Sequence, residues 1–201
     1  MKLDPLKLAG FLSFLGAAQF VVFLMVAEAV QPDYSIRNDA ISDLGVGAAA
    51  PIFNTSVFVV GLFALLAALF LYRARRLKVL PILVALAGVG AMGVGIFPET
   101  SPALHSISEL MAFLFGGVAA IVSYRLLRGV LGYISIALGV VGLAALGLFV
   151  SGVYDGLGFG GMERLIVYPV LIWGMGFGAR LMGAFAPATP AVPAGAPEGG
   201  S

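Results

Sequence analysis

The sequence predicts an all-α fold: a polytopic integral membrane bundle of six helices, with both termini cytoplasmic. Three observations carry that prediction. Of 201 residues, 61% are hydrophobic and only 10% charged, against about 45–50% and about 25% in a soluble domain. Six apolar stretches each approach the about 20 residues a helix needs to cross a hydrocarbon core about 30 Å thick. Lys and Arg, finally, fall almost wholly between alternate stretches.

The stretches are Leu8–Val30, Ile52–Tyr72, Val79–Phe97, Leu104–Tyr124, Val130–Val153 and Leu165–Gly183. In lipid each backbone amide needs an internal partner, so each stretch is a helix. Alternating strands of about ten residues, the mark of a membrane β-barrel, are absent. The first stretch starts with Lys2 and Lys7 and ends near Ala27-Glu28-Ala29, which looks like a signal-peptide cleavage site. Its apolar run exceeds the about 7–15 residues of such peptides, so the helix is expected to be retained. The membrane domain covers residues 1–185. Residues 186–201, rich in Pro, Ala and Gly, read as a disordered tail.

Charge orients the bundle. Lys2, Lys7, Arg73, Arg75, Arg76, Lys78, Arg125, Arg128 and Arg180 share the side of the termini, and only Arg37 and Arg164 lie opposite. The richer side is expected in the cytoplasm of a cell-membrane protein. Asp33, Asp39, Asp43, Glu99, Asp155 and Glu163 fall in the outer segments, with Glu28, His105 and Glu109 just inside the outer helix ends. Ionisable groups within spans are costly and usually partnered. A net charge of +1 gives no hold on nucleic acid, and the absence of Cys removes disulfides, thiol nucleophiles and thiolate metal sites.

Three outer segments hold the candidate residues. In the first, Asp39 and Asp43 are four apart with Ser42 between them, and a helical turn would put them on one face. Two such carboxylates need a cation, a proton or an Arg between them, and a short helix ended by Gly45 is the simpler reading. In the second, Thr100 or Ser101 is a candidate cap, Pro102 fits the first turn, and His105 and Glu109 share a face. A neutral imidazole there could act as ligand or base, or simply be a hydrogen-bonded structural group. Ile41-Ser42-Asp43-Leu44 echoes Ile107-Ser108-Glu109-Leu110, the trace of an internal repeat. The third, Gly152–Arg164, has a Gly-rich core, which marks a mobile loop or one lying close to other backbone. Its amides could form an anion nest; Glu163-Arg164 reads as a simple ion pair or as Arg164 set against the first-loop acids. Ala87, Ala91 and Gly95, and Gly174 with Gly178, are small-residue stripes read as helix contacts. Trp173, the only Trp, falls in mid-span rather than at an interface.

Tyr34, Ile41-Ser42-Asp43-Leu44-Gly45, Phe53-Asn54, Gly95-Ile96-Phe97-Pro98, His105 and Gly161-Met162-Glu163-Arg164 together resemble the prokaryotic six-helix family of domain of unknown function 998. The chain is more distantly similar to the Frag1/DRAM/Sfk1-like membrane proteins. The resemblance implies a six-helix integral membrane protein over about Leu8–Gly183. By analogy with the second group it implies a role in lipid handling or membrane organisation.

Three readings stay open. The first is non-catalytic: Asp39, Ser42, Asp43, His105, Glu109, Glu163 and Arg164 form a mutually satisfied polar cluster on the extracytoplasmic side of a protein that meets a membrane lipid, a membrane protein partner or a second copy of itself. The alternative is a metal-dependent intramembrane lipid hydrolase or transferase. There Asp39, Asp43, His105 and Glu109 would hold a divalent metal, Glu163 or His105 would be catalytic, and Arg164 would steady an anion. A single His makes that ligand set unspecific. The third is a small-solute or ion transporter, for which the cytoplasmic helix halves lack acids.

Overall fold

The computed structural model describes residues 4–74 and 78–183. Arg75 and Arg76 of the basic turn, Lys2 and the 186–201 tail therefore lie outside the described residues. The described residues form seven α-helices and no strand: α1 (Pro5–Val30), α2 (Ala50–Arg73), α3 (Val79–Ile96), α4 (Pro102–Val122), its short continuation α5 (Tyr124–Leu127), α6 (Gly129–Val150) and α7 (Gly158–Met182). With α5 counted as the end of α4, six are long and apolar enough to cross a membrane.

Local chemistry sets the ends. Asp4 caps α1, its carboxylate accepting from the Leu6 amide at 2.9 Å, and Pro5 takes the first position, where no donor is needed. Pro102 opens α4 as expected, but the Ser101 hydroxyl makes no capping bond. Gly183 ends α7 in the left-handed region, at φ 91°. The largest departure from expectation is the start of α7. The Gly-rich stretch Gly158–Arg164 is helical rather than a mobile loop, while its backbone does lie close to another segment, as the second reading of that stretch had it.

Neighbouring helices close a ring in the order α1, α2, α3, α4, α6, α7 and back to α1. Glycines let the backbones touch where helices cross. A Cβ on Gly10 would come within 2.6 Å of the Gly178 carbonyl, and one on Gly88 within 2.8 Å of the Gly61 carbonyl. The first crossing ties the start of α1 to the end of α7. Outward positions carry large apolar side chains such as Phe11, Val22, Met25, Tyr72, Ile82 and Ile134. Water would punish such a surface and lipid suits it.

Inside, one apolar cluster holds Phe20, Leu24, Ile41, Leu44 and Phe53 around the 31–49 loop, called loop one below. A second holds Leu71, Leu80, Leu127, Trp173 and Phe177 toward the other end. Between them the ring is incompletely filled.

Candidate functional site

Loop one folds back over its end of the ring, held first by its own polar groups. The Tyr34 hydroxyl donates to the Ala40 carbonyl at 2.8 Å. The Asp39 carboxylate accepts from the Ser35 amide at 2.6 Å, and that of Asp43 accepts from the Ala40 amide at 2.7 Å. Ser42–Gly45 is one turn of 3-10 helix. Asn54 on α2 donates to the Gly45 carbonyl at 3.0 Å, and Gln31 accepts from the Ala49 amide at 3.1 Å.

The loop then caps α7. The Arg37 carbonyl accepts from the amides of Gly160 (3.1 Å) and Gly161 (3.4 Å). These are donors that a helix start leaves without partners. The approach needs glycine: a Cβ on Gly160 would run into the Asp39 carbonyl, and one on Gly158 into that of Arg37. Contact with loop one therefore lets this Gly-rich stretch be helical, and a carbonyl occupies the place where an anion nest was expected.

Arg164 completes the closure and uses all its donors in doing so. Its Nη2 meets Glu28 Oε1 on α1 at 2.7 Å and also donates to the Tyr34 hydroxyl; Nε reaches the same Glu28 oxygen at 3.3 Å. Its Nη1 donates to the carbonyls of Ile36 (2.8 Å), Asp39 (3.2 Å) and Gly160 (2.9 Å). The partner of Arg164 is thus Glu28, not Glu163, and it holds loop one through carbonyls rather than carboxylates. The guanidinium is buried and has no donor left for an external anion. Burial pushes the Tyr34 phenol up to about 12, so at neutral pH it remains the donor to Ala40.

Glu163, one residue earlier, turns the other way. It is 2% exposed and accepts from the Ile41 amide. Its carboxyl and that of Glu109 on α4 are in hydrogen-bond contact. Both border a cavity of about 160 Å³ in the unfilled middle of the ring. Ile41 and Ser42 of loop one border it at this end. Its wall comes from α1, α2, α3, α4 and α7, none of it from α6, and is largely apolar, with large side chains such as Phe20, Phe53 and Leu171 beside small ones such as Ala87, Ala91 and Ala112. Along α4 it extends from Glu109 to Ala119, about 15 Å at about 1.5 Å per residue. Trp173 borders it toward the far end.

The remaining predicted residues are each engaged locally. His105 is buried, its Nδ1 bonded to the Phe97 carbonyl at 2.8 Å and its Nε2 without a protein partner. The Ser42 hydroxyl donates to Glu99 at 2.7 Å. Glu99 also hydrogen-bonds Asp43, whose carboxyl is pushed above the ordinary carboxylate value first by burial and then by that neighbour. Asp39, Asp43, His105 and Glu109 do not converge as a ligand set. Among the described residues no group of three or more His, Asp or Glu side chains stands together as a metal ion would require. The repeat does not extend to conformation either, since Ser42–Gly45 is a 3-10 turn and Ile107–Leu110 lies within α4.

Four residues that matter here escaped the candidate set. Glu28 gave a signal, being an acid inside a span with no sequence neighbour to pair with. Trp173 gave another by its mid-span place. Tyr34 and Glu99 gave none from spacing. Residues 14–180 match the sequence model of a family described as protein of unknown function (DUF998), and the chain belongs to that family. No curated protein and no solved structure matches it.

Proposed function

We propose that this member of the DUF998 family is a non-catalytic, multi-pass protein of the cell membrane that accommodates the apolar part of a lipid or similar amphiphile in its interior cavity. The basic residues at the end of the termini, Lys7, Arg73, Lys78, Arg125, Arg128 and Arg180, favour a cytoplasmic placing of that end. Loop one and the carboxyl pair then lie on the extracytoplasmic side.

The observation that carries this reading is the cavity itself. An apolar void of about 150 Å³ stays dry and takes up molecules the size of benzene. Where alanine and glycine stand in that wall, at Ala64, Ala87, Ala91, Ala112, Gly116 and Gly174, they leave room that larger side chains would take. The hydrolase reading is less well supported. Arg164 has no free donor for a phosphate, Glu163 is engaged by Ile41 and Glu109, and the proposed metal ligands stand apart.

Native mass spectrometry of the detergent-purified protein tests the reading. The wild type is expected to keep a bound amphiphile after removal of the micelle. The cavity-filling variant Ala91→Leu/Ala112→Leu is expected to lose it. Equal retention by both proteins would place the bound molecule elsewhere and overturn the proposal.

A further inference from the structure

The polar end of the cavity restricts what its occupant carries there. Of the other side chains at the wall that can hydrogen-bond, Ser13 donates to the Ala9 carbonyl, Ser42 to Glu99, and Trp173 to the Ser123 hydroxyl. None of these has a donor to spare, and the Glu109–Glu163 pair offers acceptors. Among the described residues no basic side chain borders the cavity. The groups nearby are accounted for on every side. Arg164 on α7 is tied to Glu28 and Tyr34; Asp43 and Glu99 are tied to each other and to Ser42; His105 stands one turn before Glu109 on α4. The buried His105 Nε2 has no protein partner.

Two carboxyls in hydrogen-bond contact need a proton or another cation between them, because two like charges at that distance repel strongly in a medium of low polarity. A phosphate, sulfate or carboxylate head would add to that repulsion. A protonated amine would relieve it, with three donors for the acceptors present.

We propose that the Glu109–Glu163 pair selects an amphiphile with a protonated amine head, taken up in exchange for the proton the pair shares when the cavity is empty. The proposal rests on the cavity reading above and deepens it. The exchange balances: one ammonium enters, one proton leaves to solvent, and the charge of the site is unchanged. The one covalent change is the carboxyl O–H bond that breaks as its proton passes to water; the amine keeps all its own bonds.

The test uses the full-length protein in nonionic micelles, with dodecylamine, dodecanol and dodecanoate as probes of equal chain length. Fluorescence of Trp173, the only tryptophan, reports occupancy of the wall it borders. Dodecylamine is expected to bind about tenfold tighter than dodecanol, the margin of a charge-assisted over a neutral hydrogen bond. Dodecanoate is expected to bind most weakly. Amine binding in weak buffer is expected to release about one proton per molecule bound. Glu109→Gln and Glu163→Gln are expected to abolish the preference for the amine while dodecanol still binds. Unlike that of Glu163, the Glu109 carboxyl accepts from no backbone amide among the described residues, so its variant remains informative if Glu163→Gln does not fold. Equal binding of amine and alcohol to the wild type, or tightest binding of dodecanoate, overturns the head-group inference and leaves the cavity reading standing. If no probe gives a saturable Trp173 response, or Ala91→Leu/Ala112→Leu responds as the wild type does, the cavity reading fails too.

Discussion

Glu163 and Arg164 are neighbours in the chain and serve opposite regions of the molecule. Successive residues of a helix point about 100° apart, so one side chain of α7 turns into the bundle and the next turns toward loop one. On the loop side every donor of Arg164 has a partner. On the cavity side the Glu109–Glu163 pair faces open, apolar space. Completed hydrogen bonding gives rigidity and excludes ligands, whereas incomplete hydrogen bonding beside a void invites them. The difference separates a clamp from an unfilled cavity within one turn of helix.

Breaking the clamp should have the largest effect. Arg164→Ala leaves Glu28 without its counter-charge and the Ile36 and Asp39 carbonyls of loop one without their donor. Loss of one partner of a buried ion pair typically costs about 3–5 kcal/mol. We expect a comparable drop in unfolding free energy in detergent, with rapid protease cleavage within residues 31–49. Arg164→Lys should fall between, because a single ammonium can meet Glu28 but cannot also reach the carbonyls held by the planar fork. A variant Arg164→Ala whose loop one resisted protease like the wild type would show that the clamp lies elsewhere.

Glycine substitutions sharpen the same contrast. Gly160→Ala would drive a methyl group into the Asp39 carbonyl, so loop one or the first turn of α7 must move. Overpacking of this kind costs about 1–3 kcal/mol. Gly147 in α6 faces nothing within 4 Å, so Gly147→Ala should gain up to about 1 kcal/mol from helix propensity alone. Thermal unfolding of the two variants should move in opposite directions. Destabilisation by both would mean that helix contact at α6 is closer than described.

On the cavity side the sign reverses. Filling the space with Ala91→Leu/Ala112→Leu should stabilise the ligand-free protein by about 0.5–2 kcal/mol, as cavity-filling substitutions commonly do. If the proposed amphiphile binds there, its addition should stabilise the wild type and not this variant. A loss of stability in both states would show that the space is too narrow for the added methyl groups.

These two regions were legible in the sequence to very different degrees. The six spans were readable because lipid leaves the backbone no alternative to helix, and the observed helices agree with the predicted stretches to within a few residues except at α7. That exception came from Gly158–Arg164, whose local propensity favours a loop and whose helicity depends on the Arg37 carbonyl some 120 residues earlier. Arg164 plainly needed a partner, but its choice of Glu28 requires α1 to lie against α7, a consequence of ring closure that no local pattern encodes. The cavity was least readable of all. Ala87 and Ala91 carry the same small-residue signature as Gly10 or Gly178, yet they border empty space where those glycines touch backbone. A stripe of small residues records the absence of side-chain bulk and says nothing of what takes its place.

The smallest expected effect lies where the clamp meets solvent. Asp43 accepts from the Ala40 amide and hydrogen-bonds Glu99, and burial followed by that contact holds its carboxyl above the ordinary 3.8. An acid whose value is raised on folding favours the protonated, folded form. Its contribution is fully present below 3.8 and is lost as the pH rises from there through the raised value. Loop one should therefore be most protease-resistant at the acidic end of that window and loosen as the pH climbs. Asp43→Asn keeps an acceptor for Ala40 but removes the titrating group, so the slope in that window should flatten with little change at its acid end. Hydrogen exchange at the Ala40 and Ile41 amides, followed in wild type and variant across the window, measures this directly after correction for the intrinsic pH dependence of exchange. Protection that rose with pH in the wild type, or an unchanged slope in Asp43→Asn, would assign the pH response of loop one to another group.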